Sequence, residues 1–171
     1  MNEMVILVDN KDNQLGLMEK IEAHQKAILH RAFSVFVLND NNELLLQKRA
    51  LNKYHSPGLW TNTCCSHPRD GESVINGGIR RLKQEMGFET ELNFLLSFIY
   101  KAEFDNGLTE HEFDHVLLGR YNKNPLINTL EVCDWKWIDL SFLEQDIKVN
   151  PDLYTIWFKI IFQQFYKNIN K

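Results

Sequence analysis

Residues 66–88 read Ser66-His67-Pro68-Arg69-Asp70-Gly71-Glu72-Ser73-Val74-Ile75-Asn76-Gly77-Gly78-Ile79-Arg80-Arg81-Leu82-Lys83-Gln84-Glu85-Met86-Gly87-Phe88. Gly71-Glu72-Ser73 opens a helical stretch in which Ile75, Ile79, Leu82 and Met86 share one face, and Gly87 is its stop. The spacing therefore predicts turn, helix, turn. Gly77-Gly78 in its middle is awkward, because a glycine inside a helix costs up to about 1 kcal/mol relative to alanine.

On the N-terminal side, residues 59–67 read as extended after a turn at Ser56-Pro57-Gly58. Residues 33–38 and 44–46 flank Asn39-Asp40-Asn41-Asn42, a strong hairpin signal. Residues 5–8 form an apolar run closed by Asp9-Asn10-Lys11-Asp12-Asn13, and a mixed segment carrying His24 follows at 15–29. On the C-terminal side, strands are expected at 94–102 and 113–121 around Asp105-Asn106-Gly107, and another at 135–138. Asn150-Pro151 reads as cap and first turn of a last helix through Trp157 and Phe165. Strands with a few helices and no steady βαβ rhythm indicate a mixed α/β (α+β) domain.

The chain's 171 residues suit one domain, expected over 1–171. Hydrophobic residues at 44% and charged residues at 25% exclude a disordered or collagen-like chain. Nineteen Lys and Arg against 23 Asp and Glu leave a net charge of −4. No global field then holds nucleic acid or an anionic membrane, so phosphate binding needs a local pocket. No apolar run approaches the ~18 residues of a membrane helix. Met1-Asn2-Glu3-Met4 lacks the basic start of a signal peptide, and the odd set Cys64, Cys65 and Cys133 reads as reduced thiols. The expectation is a cytoplasmic monomer.

The chemistry concentrates in a few places. On an extended strand Glu110 and Glu112 project to one face while His111 points away. Two neighbouring carboxylates repel, and a cation between them is the usual remedy. With His24, His30 and His67 they would form a mixed nitrogen–oxygen site suited to Mn2+, Zn2+, Fe2+ or Mg2+. The alternative is a solvated acidic loop beside unrelated histidines. By the same period, Cys65 and His67 share a face and Cys64 turns into packing. A thiol beside a cation is a candidate acid, base or nucleophile, although small buried hydrophobe is the commoner fate of a cysteine.

Residues 66–88 also resemble the Nudix box, with Glu72, Arg80, Glu85 and Gly87 at its spacings. Ser66 replaces the box's first Gly, Arg81 its Glu after Arg, and Gln84 the first Glu of its pair. In Nudix hydrolases those glutamates hold Mg2+, so the departures keep the loop–helix–loop and weaken hydrolysis.

Further strings narrow the resemblance. They are Leu29-His30-Arg31-Ala32-Phe33-Ser34-Val35-Phe36, Gln47-Lys48-Arg49-Ala50, Pro57-Gly58-Leu59-Trp60-Thr61-Asn62-Thr63-Cys64-Cys65-Ser66-His67-Pro68 and Glu110-His111-Glu112. Together, from about residue 5 to 165, the chain resembles the type 1 isopentenyl-diphosphate Δ-isomerases, a family similar in fold to the Nudix hydrolases.

That resemblance implies a Nudix-like fold with mixed β-sheets sandwiched between helices, a prenyl diphosphate substrate, and two metals. His24, His30, His67, Glu110 and Glu112 match the ligands of a divalent ion, Zn2+ or Mn2+. Glu85 matches the contact to Mg2+ on the substrate diphosphate. Cys65 and Glu112 match the catalytic pair and Tyr100 the tyrosine beside that glutamate. Lys20, Arg49, Lys53 and Arg80 fall where diphosphate-facing cations lie, Ser66 follows the cysteine, and Trp157 matches the aromatic over the prenyl tail. Trp60 is a second aromatic for the cation or a packing residue, and Arg81 is free to pair with Glu85 four residues on. One rival reading is a Nudix-type diphosphate hydrolase, favoured by Glu72, Arg80, Glu85 and Gly87 and opposed by Arg81, Gln84 and the cysteine string; the other is a metal-holding or binding protein without catalysis, against which Cys65 stands.

Overall fold

The computed structural model describes residues 3–169. Its axis is β3 (His30–Leu38), buried along almost its whole length, as expected of a strand covered on both faces. One edge of β3 runs parallel to β8 (Thr109–Arg120), from His30 opposite Glu112 to Leu38 opposite Arg120. The other edge has three successive antiparallel partners. These are β1 (Met4–Val8) at His30, β6 (Cys64–Ser66) at 33–35, and β4 (Glu43–Arg49) at Leu38.

The strand β2 (Gln14–Glu19) extends the sheet beyond β1, and β7 (Leu92–Glu103) beyond β8. After the hairpin, β4 leaves β3 and pairs instead with β9 (Val132–Asp139) and with β5 (Trp60–Thr61). The expected hairpin turn is held by Asn39, whose side-chain oxygen accepts from the Asn41 and Glu43 amides at 3.0 and 2.9 Å.

Alternation along the strands divides the core. Phe33, Val35 and Val37, with Leu45 and Leu117, pack with Leu82 and Met86 of α2 (Val74–Met86). Phe36 and Leu38, with Leu44, Leu46 and Val116, pack with Phe158, Ile161, Phe162 and Phe165 of α4 (Ile156–Ile169). The outcome is mixed strands between helices, the expected fold class. Two shorter helices, α1 (Lys20–Gln25) and α3 (Leu140–Val149), complete the set.

The helix read first from the sequence is present. Ser73 Oγ caps the Asn76 amide at 3.2 Å, and Gly87 ends the helix in the left-handed region at φ 74°. Gly77-Gly78 has its reason in packing. A Cβ on Gly77 would stand 2.8 Å from Phe33 Cε1 and 3.0 Å from Glu72 Oε2, so the helix lies flat on β3 only without one. Gly77→Ala should therefore destabilise the fold by about 1–3 kcal/mol despite alanine's better propensity. A urea midpoint equal to or above the parent's would contradict this packing argument.

Three local expectations differ from the structure. The mixed segment at 15–29 resolves into β2 and α1. The helix α3 was not expected, although Asp139 caps it by accepting from the Ser141 and Phe142 amides at 2.9 Å each. The last helix also begins later than Asn150-Pro151. Pro151–Leu153 is a single 3-10 turn and Asn150 makes no side-chain cap bond. Tyr154 is extended beside Trp60, and the Thr155 amide donates to the Trp60 carbonyl at 3.0 Å, so α4 starts only at Ile156.

Candidate active site

The site lies where β4 parts from β3. Parting strands leave backbone groups unpaired, and buried ones must find partners. Residues 59–67 supply them, and are extended only in two pieces. Thr63 Oγ1 accepts from the Val37 amide at 3.0 Å and donates to the Leu45 carbonyl at 2.7 Å, standing between the two strands. Asn62 Nδ2 donates to the carbonyls of Val35 and Cys64 at 3.2 and 2.7 Å. The Thr-Asn-Thr string thus pins the Cys64-Cys65 backbone. Cys64 is fully buried in the α2 core, and Cys65 pairs with Ser34 and faces the opposite side.

Register assembles the rest. Tyr100, Glu112 and His30 stand in one row across β7, β8 and β3, with Glu110 two residues along on the same face. His24 comes from the end of α1, and His67 follows β6. All of these histidines and both glutamates are buried. One ligating atom each from His24, His30, His67 and Glu112 lies within 4.8 Å of the others.

The hydrogen bonds orient the rings. His24 Nδ1 donates to the Lys20 carbonyl at 2.6 Å and His30 Nδ1 to the Ile28 carbonyl at 2.8 Å. A carbonyl only accepts, so Nδ1 carries a proton in both and Nε2 is the nitrogen turned inward. Both Nε2 atoms are buried without a hydrogen-bond partner. Glu112 Oε1 is 3.0 Å from His67 Nε2 and 3.6 Å from His30 Nε2. Buried imidazole nitrogens converging on a carboxylate, with the outer nitrogens of His24 and His30 tied to carbonyls, fit a divalent metal.

Glu110 stands beside this group and outside the four atoms. The Tyr100 hydroxyl lies 3.0 Å from Glu110 Oε2 and 2.6 Å from Glu112 Oε2, bridging the carboxyls. Burial, then the neighbouring Glu112 charge, pushes the Glu110 carboxyl up to about 8. Burial opposes the Glu112 charge too, but the His30 and His67 imidazoles that face it outweigh burial and hold that carboxylate well below its usual range. Burial, then the Glu85 charge, pushes the Cys65 thiol up, so it keeps its proton at neutral pH.

One cleft of about 260 Å³ is lined by Cys65, Ser66, Tyr100, Glu110, Glu112, His24, His67 and Trp157. Lys20, Arg49 and Lys53 line it as well. The Arg49 guanidinium lies 5.1 Å from the centre of the Trp157 ring, and Lys53 is paired with Glu131. Glu85 reaches the same cleft, accepting from Gln47 Nε2 at 2.7 Å and Arg81 Nη2 at 2.6 Å.

One expectation needs correction. Arg80 does not line this cleft. Its Nε and Nη2 each donate to Glu72 at 2.8 Å, which turns it into a neighbouring cavity. Arg81, one residue on, lines the cleft instead. The signal was its i,i+4 relation to Glu85, which puts both on one helix face. Of its two readings Trp60 takes the packing one, lying against the core under α4 with Lys136 and Lys48 4.4 and 5.6 Å from its ring centre.

Sequence reading also passed over Gln47 and His55. His55 stacks on Phe104 at 4.9 Å and meets Trp157 edge-on at 5.4 Å. Burial, then the Arg49 charge, pushes its imidazole down to about 3, so it is a neutral wall of the cleft. Nothing in its local sequence marks that position.

Comparison with known proteins shows the family and the fold. A NUDIX domain model matches residues 28–158. "Isopentenyl-diphosphate Delta-isomerase 2" of Photorhabdus laumondii is 53% identical over 161 residues, covering 94% of this chain and 91% of that protein. "Isopentenyl-diphosphate Delta-isomerase" of Serratia proteamaculans is 46% identical over 168 residues, covering 98% and 94%. Among solved structures, DR0079 from Deinococcus radiodurans superposes with a TM-score of 0.72 at 19% identity, covering 86% of this chain and 90% of that one. A MutT protein from Methanosarcina mazei superposes at 0.67 and 16% identity, covering 84% and 96%. At those identities the structures speak for the fold alone.

Proposed function

The chain belongs to the isopentenyl-diphosphate Delta-isomerases built on a NUDIX domain and carries out the isomerisation of isopentenyl to dimethylallyl diphosphate; we propose that Cys65 and the Tyr100–Glu112 pair move the two protons. The observation that carries this reading is their shared cleft, where a protonated thiol and a hydroxyl-bridged carboxylate lie beside four cationic side chains.

The reaction needs such a pair. Protonating the terminal alkene carbon forms one C–H bond and leaves a tertiary cation at the neighbouring carbon. Loss of a proton from the next carbon places the double bond there. One proton enters, one leaves, and nothing is oxidised. No carbonyl lowers the barrier, so acid and base must both be side chains held against the hydrocarbon. The Trp157 ring would meet the cation's charge with its π-electrons.

His24, His30, His67 and Glu112 would hold a divalent ion, Zn2+ or Mn2+, with Glu110 as the fifth candidate. Bound there, the ion would fix the Glu112 carboxylate and lower its proton affinity. Glu85 is the residue for a Mg2+ that accompanies the diphosphate. Lys20, Arg49, Lys53 and Arg81 would anchor that diphosphate, with Ser66 beside them. We read the protein as one cytoplasmic, monomeric domain; among the described residues no helix is long and apolar enough to cross a membrane.

NMR of isopentenyl diphosphate with the protein and Mg2+ in D2O tests the reading. Dimethylallyl diphosphate with deuterium in the prenyl group is the expected product. Release of phosphate or a monophosphate ester with the alkene untouched would instead establish the hydrolase reading. Against hydrolysis, Glu72 is engaged by Arg80, which leaves Glu85 as the acidic box residue that lines the cleft.

A further inference from the structure

An imidazole that binds a metal through one nitrogen is aimed by the bond its other nitrogen donates. His24 and His30 have theirs, to the backbone carbonyls of Lys20 and Ile28. His67 does not. Its Nε2 faces Glu112, and its Nδ1 is buried with no hydrogen-bond partner among the described residues. An acceptor stands 3.9 Å from that Nδ1: Oε1 of Glu3, at the lead into β1.

Glu3 is itself held from two sides. Its carbonyl accepts from the Lys20 amide at 2.8 Å, and its Oε2 is 3.0 Å from Lys20 Nζ. Its carboxylate lines both the catalytic cleft and the adjoining cavity, between His67 and a cation of the diphosphate set. The Glu3 side chain is half-exposed.

We propose that Glu3 is a positioning residue of the metal centre, the outer carboxylate that receives the His67 Nδ1 proton and aims its Nε2 at the ion. This rests on the metal reading of His24, His30, His67 and Glu112. It makes the N-terminal strand part of the site, because the same carboxylate ties Lys20 to the ligand set.

The test titrates the full-length, metal-stripped chain with Co2+, following d–d absorption and competing with a chelator. Losing such an outer partner weakens metal binding about 10–100-fold, and Glu3→Gln and Glu3→Ala should fall in that range. Glu3→Asp should recover part of the loss. Lys20→Met, which breaks the same ion pair without touching His67, should weaken binding less than Glu3→Gln does. If the parent takes up no Co2+, or His67→Ala binds it as tightly, the metal reading itself fails. If the parent binds and Glu3→Gln binds equally well, Glu3 is not the outer partner and the metal reading survives. Equal weakening in Lys20→Met and Glu3→Gln would trace the effect to strand anchoring and also overturn the proposal.

Discussion

Cys65→Ala is expected to lower isomerase turnover on the order of 10³-fold or more, the scale of losing a general acid or base. Folding and metal content should stay close to the parent's. The separation follows from β6. The backbone of residue 65 is fixed by pairing with Ser34 and by the Asn62 and Thr63 bonds next to it, none of which uses the thiol. Core packing at this point belongs to Cys64, which is fully buried against the α2 cluster. Cys64→Ala should therefore do the reverse, costing stability and sparing turnover. Parallel kcat and urea-midpoint measurements on the two variants decide the matter. A Cys65→Ala protein that turns over at the parental rate would remove the thiol from the mechanism.

The second large effect is at Glu112. Glu112→Gln keeps the shape of the side chain and removes the charge that His67 and His30 face at 3.0 and 3.6 Å. It also leaves the Tyr100 hydroxyl without its shorter carboxylate partner, at 2.6 Å. Metal content measured on the purified variant should fall to near zero, and turnover by on the order of 10³-fold. Glu110→Gln makes the contrast, since Glu110 lies outside the four converging atoms and reaches them through Tyr100. It should retain metal with reduced affinity. If Glu112→Gln kept its full metal complement, the four-atom cluster would not be the binding site.

Much of the fold was legible because it depends on neighbours in sequence. Ser73, the apolar spacing and Gly87 define α2 through a cap, a period and a left-handed stop, and all three are local. The Asn39 turn is equally local. The strand period alone puts Glu110 and Glu112 on one face and sends Cys64 and Cys65 to opposite ones. Less was legible near residue 150, where Asn150-Pro151 has the composition of a helix start. Its chain is claimed instead by a 3-10 turn and by the Trp60 backbone.

A sequence period specifies the side of an element on which a residue lies, and by itself this chain determined its box helix, its hairpin, the facing of its acidic pair and the side taken by each cysteine. It does not specify which elements adjoin. Only strand pairing over long separations set His30 beside Glu112 and brought His24 and His67 to them from a helix end and a loop. The choice between Arg80 and Arg81 was likewise tertiary. Adjacent helical residues point about 100° apart, and the partner that each direction meets, Glu72 or Glu85, decided which arginine entered the cleft.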